Sequence, residues 1–201
     1  MILASVITCP RRWSEYQRLR RNYERLGLGV PLRTFQTREA DGDSYANNNL
    51  NARSALAYAN RHLPEGGWLL YLEDDVVLHS DLARMLPELV RVGDAERVDV
   101  WNLCNRQNPV GRQFRVGDAV VNELGWPVLG AHGLLIPRRH LSAMLAAHWS
   151  DVSDQAMFAA ICHPGLTIWQ VVSPVLVEHV GYVSTYDPDW HPKTLEVNHA
   201  N

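Results

Sequence analysis

Three consecutive acids, Glu73, Asp74 and Asp75, separate two strongly apolar runs in "WLLYLEDDVVLHSDL", residues 68 to 82. Neighbouring carboxylates repel one another and each is costly to keep dry, so a cation is the natural companion of such a triplet where a buried strand ends. Adjacent side chains on a strand point to opposite faces, which lets Glu73 and Asp75 share one side while Asp74 turns to the other. Ligands of open α/β sheets bind beyond the carboxyl ends of the strands. A hard divalent ion, held by one or two carboxylates and by substrate phosphate oxygens, suits that position. An apolar strand ending in acids is also the Walker B pattern of nucleotide hydrolases, but the chain has no GxxxxGK[ST] loop and its one lysine is Lys193. A solvated turn is the competing reading of the triplet, and the helix start in "HSDL" counts against it.

The elements that must position these acids alternate. "ILASVIT" reads as a buried strand, and Trp13, Tyr16, Leu19, Tyr23 and Leu26 then recur at helical spacing up to Gly27 and Gly29. "VPLRTFQT" is a second strand, "NNNLNARSALAYANRHL" a helix opening on Asn caps, and "GWLLYLEDD" a third strand. A helix from about Ser80 to Val92 and a strand in "RVDVWNLC" follow. The rhythm breaks at "NRQNPVGRQFRVGDAVVNELGWPVLG", whose Gly, Pro and Asn with two short alternating runs predict a loop and hairpin excursion. Beyond it come a strand "AHGLLIP", helices over Arg138 to Ala147 and Ser153 to Ile161, and strands in "LTIWQVV" and "VLVEHV". The class is α/β, with a sheet that is mainly parallel at first.

Composition bounds the function. At 201 residues, 46% hydrophobic and 20% charged, the chain can bury a core without disulfides, and one domain over residues 1 to 201 is expected. Three cysteines without CxxC pairing suggest neither a disulfide framework nor a zinc knuckle. The N-terminus carries no basic leader before its short apolar run, and no stretch approaches the roughly 20 apolar residues of a membrane span, so a cytoplasmic location is expected. The net charge of −3 argues against a general nucleic-acid coat, although 18 of the 19 basic residues are Arg.

"YLEDDVVLHSDL" resembles the acidic EDD or DxD metal motif of nucleotide-sugar-dependent glycosyltransferases with the GT-A fold, and further segments fall in that fold's order. "ITCPRR" is similar to the nucleotide-binding turn after the first strand, where Thr8, Pro10 and Arg11 would meet the donor. "NNNLNARSAL" resembles the helix start beneath the nucleotide, with Asn51 and Arg53 as donor contacts. "LGAHGLLIPRRHL" looks like the glycine loop beside the donor sugar, bringing in Gly130, Ala131, His132 and Gly133. "SDVSDQAMFAAI" is similar to the helix that carries the catalytic acid, and "VLVEHVGYVST" to the C-terminal segment whose His completes the metal site. The resemblance spans about Leu3 to Thr185. It implies a GT-A (Rossmann-like) mainly parallel twisted sheet flanked by helices, with a small hairpin insertion.

The same resemblance implies the chemistry. Asp75 and His179 would hold Mn²⁺ or Mg²⁺ against the diphosphate of a nucleoside-diphosphate sugar, with Glu73 at the ribose or the metal shell and Asp74 nearer the sugar. Arg11 and Arg53 would brace phosphates, since a guanidinium fork suits such oxygens. Gly130 and Gly133 would admit the donor closely, with His132 lining the sugar pocket. Asp154 would be the general base that takes the proton of an acceptor hydroxyl, giving inversion. The acceptor would be a saccharide of the cell envelope or, as the lesser option, hydroxymethylated DNA, the latter on account of Arg106, Arg112, Arg115 and Phe114 in the excursion and the Arg-rich first helix, a surface that reads first as a solvated face.

Other readings stand beside these. His179 alone reads equally as a satisfied core histidine. Asp151 and Asp154 both suit a helix N-cap. Arg11 and Arg12 read as surface charge at a helix start, where cations are unfavourable, and that penalty hints at a bound anion. A nucleotidyltransferase would share the core and the metal, but "ITCPRR" lacks the Gly-rich, Lys-containing signature it needs. A non-catalytic sugar- or nucleotide-binding module would not require Asp154 and His179 together with the acids.

Overall fold

The computed structural model describes residues 1 to 36, 44 to 104, 111 to 124, 132 to 149, 153 to 161 and 165 to 180. For residues 11, 44, 45 and 153 to 155 the description covers the backbone alone. Ten strands and five α-helices are described: β1 (Ile2–Thr8), α1 (Trp13–Leu26), β2 (Leu32–Gln36), α2 (Ser44–His62), β3 (Trp68–Glu73), β4 (Val76–Leu78), α3 (Asp81–Ala95), β5 (Val100–Asn102), β6 (Gln113–Val116), β7 (Ala119–Leu124), β8 (Gly133–Pro137), α4 (Arg138–Ala146), α5 (Ser153–Ile161), β9 (Ile168–Ser173) and β10 (Val177–His179). A single 3-10 turn, Pro10–Arg12, joins β1 to α1.

Eight strands form one sheet in the order β2-β1-β3-β8-β5-β9-β7-β6, and β10 pairs with β4 in a separate two-stranded sheet. The pairs β1/β2, β1/β3 and β5/β9 are parallel. Strand β8 runs antiparallel to both β3 and β5, and this reversal matters for the site. Because β8 runs backwards, its first residue Gly133 lies opposite Leu72 at the carboxyl end of β3. The residue before it, His132, is thereby delivered to the acids. The expected hairpin is present as β6 and β7. It is not an excursion from the sheet, because β7 pairs antiparallel with β9 and extends the sheet to its far edge.

The period of two along β3 divides the core. Trp68, Leu70 and Leu72 pack on one face with Tyr16, Leu19 and Tyr23 of α1 and Leu82, Met85 and Leu89 of α3. Leu69 and Tyr71 pack on the other with Ala55 and Leu56 of α2, Leu141 and Met144 of α4, and Met157 and Phe158 of α5. A strand buried on both faces reads as a continuous apolar run, as "WLLYL" does. Helix α1 stops at Gly27, whose left-handed backbone (φ 59°) lets its N–H cap the carbonyl of Glu24. Trp13 opens that helix but stands half exposed. Helix α2 begins at Ser44, ahead of the Asn run expected to cap it. Among the described residues no helix is long and apolar enough to cross a membrane.

Candidate donor and metal site

The apolar run of β3 ends at Glu73, and Asp74 and Asp75 form the turn into β4. Both aspartates are buried. Three connections fix the turn. The Glu73 N–H donates to the carbonyl of His132 (3.2 Å), the Val180 N–H donates to the carbonyl of Asp75 (3.0 Å), and His179 lies opposite Val76 in the β4/β10 ladder. Strands β8 and β10 therefore each bring one histidine to Asp75.

The side chains converge accordingly. Nε2 of His179 lies 3.0 Å from Asp75 Oδ2, and Nδ1 of His132 lies 2.8 Å from Glu73 Oε2 and 4.0 Å from Asp75 Oδ1. The two imidazole rings are 4.2 Å apart between centroids. Asp75, His132 and His179 offer one ligand atom each within 4.8 Å of one another. Oδ1 of Asp75 is buried and has no hydrogen-bond partner among the described residues. Asp74 meets β1, where the Thr8 hydroxyl donates to its Oδ2 at 2.7 Å. Thr8 is itself held from α2, because Asn51 Nδ2 donates to the Thr8 carbonyl at 2.9 Å.

Arg12 enters the same cluster. Its Nη1 donates to Asp75 Oδ2 at 2.6 Å and to Asp74 Oδ1 at 3.2 Å. Burial pushes the Asp74 carboxyl up to about 6, against the pull of the Thr8 hydroxyl and the Arg12 guanidinium, and the Asp75 charge adds to the rise. Burial also disfavours the charge of Asp75, but His179, His132 and Arg12 outweigh it and hold that carboxyl below the usual carboxylate range. Burial disfavours the Arg12 charge as well, and the two aspartates more than compensate, so its pKa lies above the ordinary arginine value.

Of the residues expected from the sequence, Thr8, Asn51, Glu73, Asp74, Asp75, His132, Gly133 and His179 meet in this one region. Arg53 lies on the exposed face of α2. Pro10 opens the 3-10 turn. The side chains of Arg11 and Asp154 are not described, although the backbone of Asp154 lies in the first turn of α5, and Gly130, Ala131 and Asp151 fall outside the described residues. Arg12, which the sequence suggests only as surface charge or as a hint of a bound anion, joins the cluster itself. Its signal was a cation at a helix start, and the anions that compensate it are the two aspartates.

Gly133 has a packing role besides any approach to a donor. A Cβ there would lie 2.9 Å from Val177 Cγ1 and 3.1 Å from Val177 Cβ, so only glycine lets β8 pass this closely to β10. Gly133→Ala is expected to cost about 1–3 kcal/mol of stability, read from denaturant unfolding. Val177 shares its strand with His179, so the same variant should also disturb the contact between His179 and Asp75.

No family model matches this sequence, and no curated protein matches it. Solved structures do. A glycosyltransferase involved in the glycosylation of the major capsid of PBCV-1 superposes with a TM-score of 0.52 over 90% of this chain and 95% of that one, at 11% identity. Drosophila β1,4-galactosyltransferase 7, in complex with manganese, UDP-Gal and xylobiose, superposes with a TM-score of 0.52 over 98% of this chain and 77% of that one, at 13% identity. The chain has the fold of the GT-A glycosyltransferases.

Proposed function

We propose that this protein is a divalent-metal-dependent glycosyltransferase that moves a sugar from a nucleoside diphosphate to an acceptor hydroxyl. The observation that carries the reading is the convergence of Asp75, His132 and His179 at the carboxyl end of β3, in a GT-A fold. A buried carboxylate oxygen without a partner, beside two imidazoles, is a donor set that fits a divalent ion. Two nitrogens and one carboxylate favour Mn²⁺ over the harder, oxygen-seeking Mg²⁺. The manganese bound by the galactosyltransferase of the same fold supports this choice.

When bound, such an ion neutralises the charge that develops on a departing diphosphate. The protein's own residues do the rest. Asp75 and His179 would be ligands, with His132 as the third, oriented by its contact to Glu73 as ligating histidines usually are by a carboxylate. Asp74 has one oxygen on the Thr8 hydroxyl and the other on Arg12, and its proposed place is nearer the donor sugar than the ion. Asp154 is the proposed base, and inversion follows from a base on the far side of the sugar.

A saccharide is the acceptor class we favour, since the galactosyltransferase complex contains xylobiose. The alternative of modified DNA rests on Arg112 and Arg115, which are exposed on the edge hairpin. Arg112 stacks over Phe114 at 5.1 Å, which accounts for that arginine without a polyanion.

A thermal-shift screen of nucleotide sugars with and without Mn²⁺ tests the reading. A ligand that binds only the native state stabilises it by about 2.7 kcal/mol at a hundred times its dissociation constant. One nucleotide sugar should raise the melting temperature in Mn²⁺ and fail to do so in chelator. Equal shifts in both conditions would remove the metal from donor binding, and no shift with any nucleotide sugar would sink the donor assignment.

A further inference from the structure

The acid pair already holds a cation. Arg12 reaches across from the turn after β1 and places one nitrogen between Asp75 Oδ2 and Asp74 Oδ1, at 2.6 and 3.2 Å, with only 20% of its side chain exposed. Asp75 Oδ2 also meets His179 Nε2, so that oxygen is shared by the guanidinium and a proposed ligand. An ion bound by Asp75 and His179 would arrive beside a buried guanidinium, and like charges at such range repel strongly where little water screens them. Among the described residues no other side chain bonds the Arg12 guanidinium. It sits at the start of α1, where the helix dipole disfavours a cation, so its position depends on the two carboxylates.

We propose that Arg12 is the resident counter-cation of Asp74 and Asp75, and that it must leave Asp75 before a divalent ion is held, so that the ion binds weakly until a nucleoside diphosphate draws the guanidinium away. The proposal rests on the reading of Asp75, His132 and His179 as the metal site. A diphosphate offers the guanidinium fork oxygens of the kind it leaves behind. Nucleotide and ion then promote each other's binding by the same factor, as linkage requires. In the free protein Arg12 keeps two buried carboxylates compensated, which avoids the cost of isolated buried charges.

The test measures Mn²⁺ affinity by electron paramagnetic resonance and calorimetry, with and without UDP or GDP, in the wild type, Arg12→Gln and His179→Ala. The wild type should bind Mn²⁺ at least about tenfold more tightly with nucleotide than alone. Arg12→Gln should bind Mn²⁺ alone at least about tenfold more tightly than the wild type, with a smaller gain from nucleotide. His179→Ala should lose binding in both conditions. If Arg12→Gln binds Mn²⁺ no more tightly than the wild type while His179→Ala abolishes binding, the exchange is overturned and the metal site stands. If the wild type binds no Mn²⁺ even with nucleotide, the metal reading fails and takes the exchange with it. Should Arg12→Gln not fold, the Arg12 Nε–H resonance of the ¹⁵N-labelled wild type decides. It should shift when Mg²⁺ and UDP are added together, and an unmoved resonance alongside shifted His179 ring signals overturns the proposal.

Discussion

Asp75→Asn is expected to lower both sugar transfer and donor hydrolysis by at least about two orders of magnitude, the scale of a lost charge-stabilising contact at a reacting centre. The substitution keeps the size of the side chain and removes the charge on which His179, His132 and Arg12 all converge. Raising Mn²⁺ should not restore the rate, because the amide that replaces the carboxylate is a poorer ligand at any concentration. Loss of structure is a separate effect and is separated by melting temperature. Asp74 still pairs with Arg12 at 3.2 Å, so the arginine is not left wholly uncompensated and the variant should fold. Full breakage of a buried ion pair would cost about 3–5 kcal/mol. Initial rates across a Mn²⁺ titration check the expectation. Wild-type rates in the variant, or full wild-type activity in excess chelator, would take the metal out of the mechanism.

The acidic end of β3 was legible because two local patterns agree there. An apolar run of strand length stops at charge, and a helix signal follows within a few residues. The helices α4 and α5 were legible within a residue, α4 from the helical spacing of Leu141 and Met144 and α5 from an apolar run that opens on Ser and Asp. What failed to show was whatever depends on pairing at a distance. "AHGLLIP" reads the same whichever way the strand runs, so its antiparallel placement between β3 and β5 has no local signature. That direction is what carries His132 to Glu73 and Asp75, so the histidine was assigned to a sugar pocket and its contact with the acids stayed hidden. The three residues of β4 are too few to carry a period, and their pairing with β10 is again non-local. Arg12 differs. Its unfavourable position at a helix start was visible, but nothing in the sequence names the carboxylates, more than sixty residues on, that make the position favourable.

The remaining expectation concerns the base. Trp149, just ahead of α5, has its carbonyl bonded to Asn49 Nδ2. Asn49 lies on α2, one turn or less from the Asn51 that holds Thr8. Trp149 is therefore tied to the same part of α2 that holds Thr8. If Asp154 takes the acceptor proton, Asp154→Asn preserves shape and leaves donor and Mn²⁺ affinity nearly intact, while the transfer rate falls by about 10² to 10⁴, the usual share of a general base. Asp151→Asn is the paired control: if Asp151 serves only as a helix cap, its loss costs about 1 kcal/mol of stability and little rate. Donor titration and single-turnover transfer on both variants separate binding from chemistry. Transfer abolished by Asp151→Asn, with Asp154→Asn lowering only the melting temperature, would exchange the roles of the two carboxylates. Unchanged transfer in both would mean that the proton leaves by a group outside this helix.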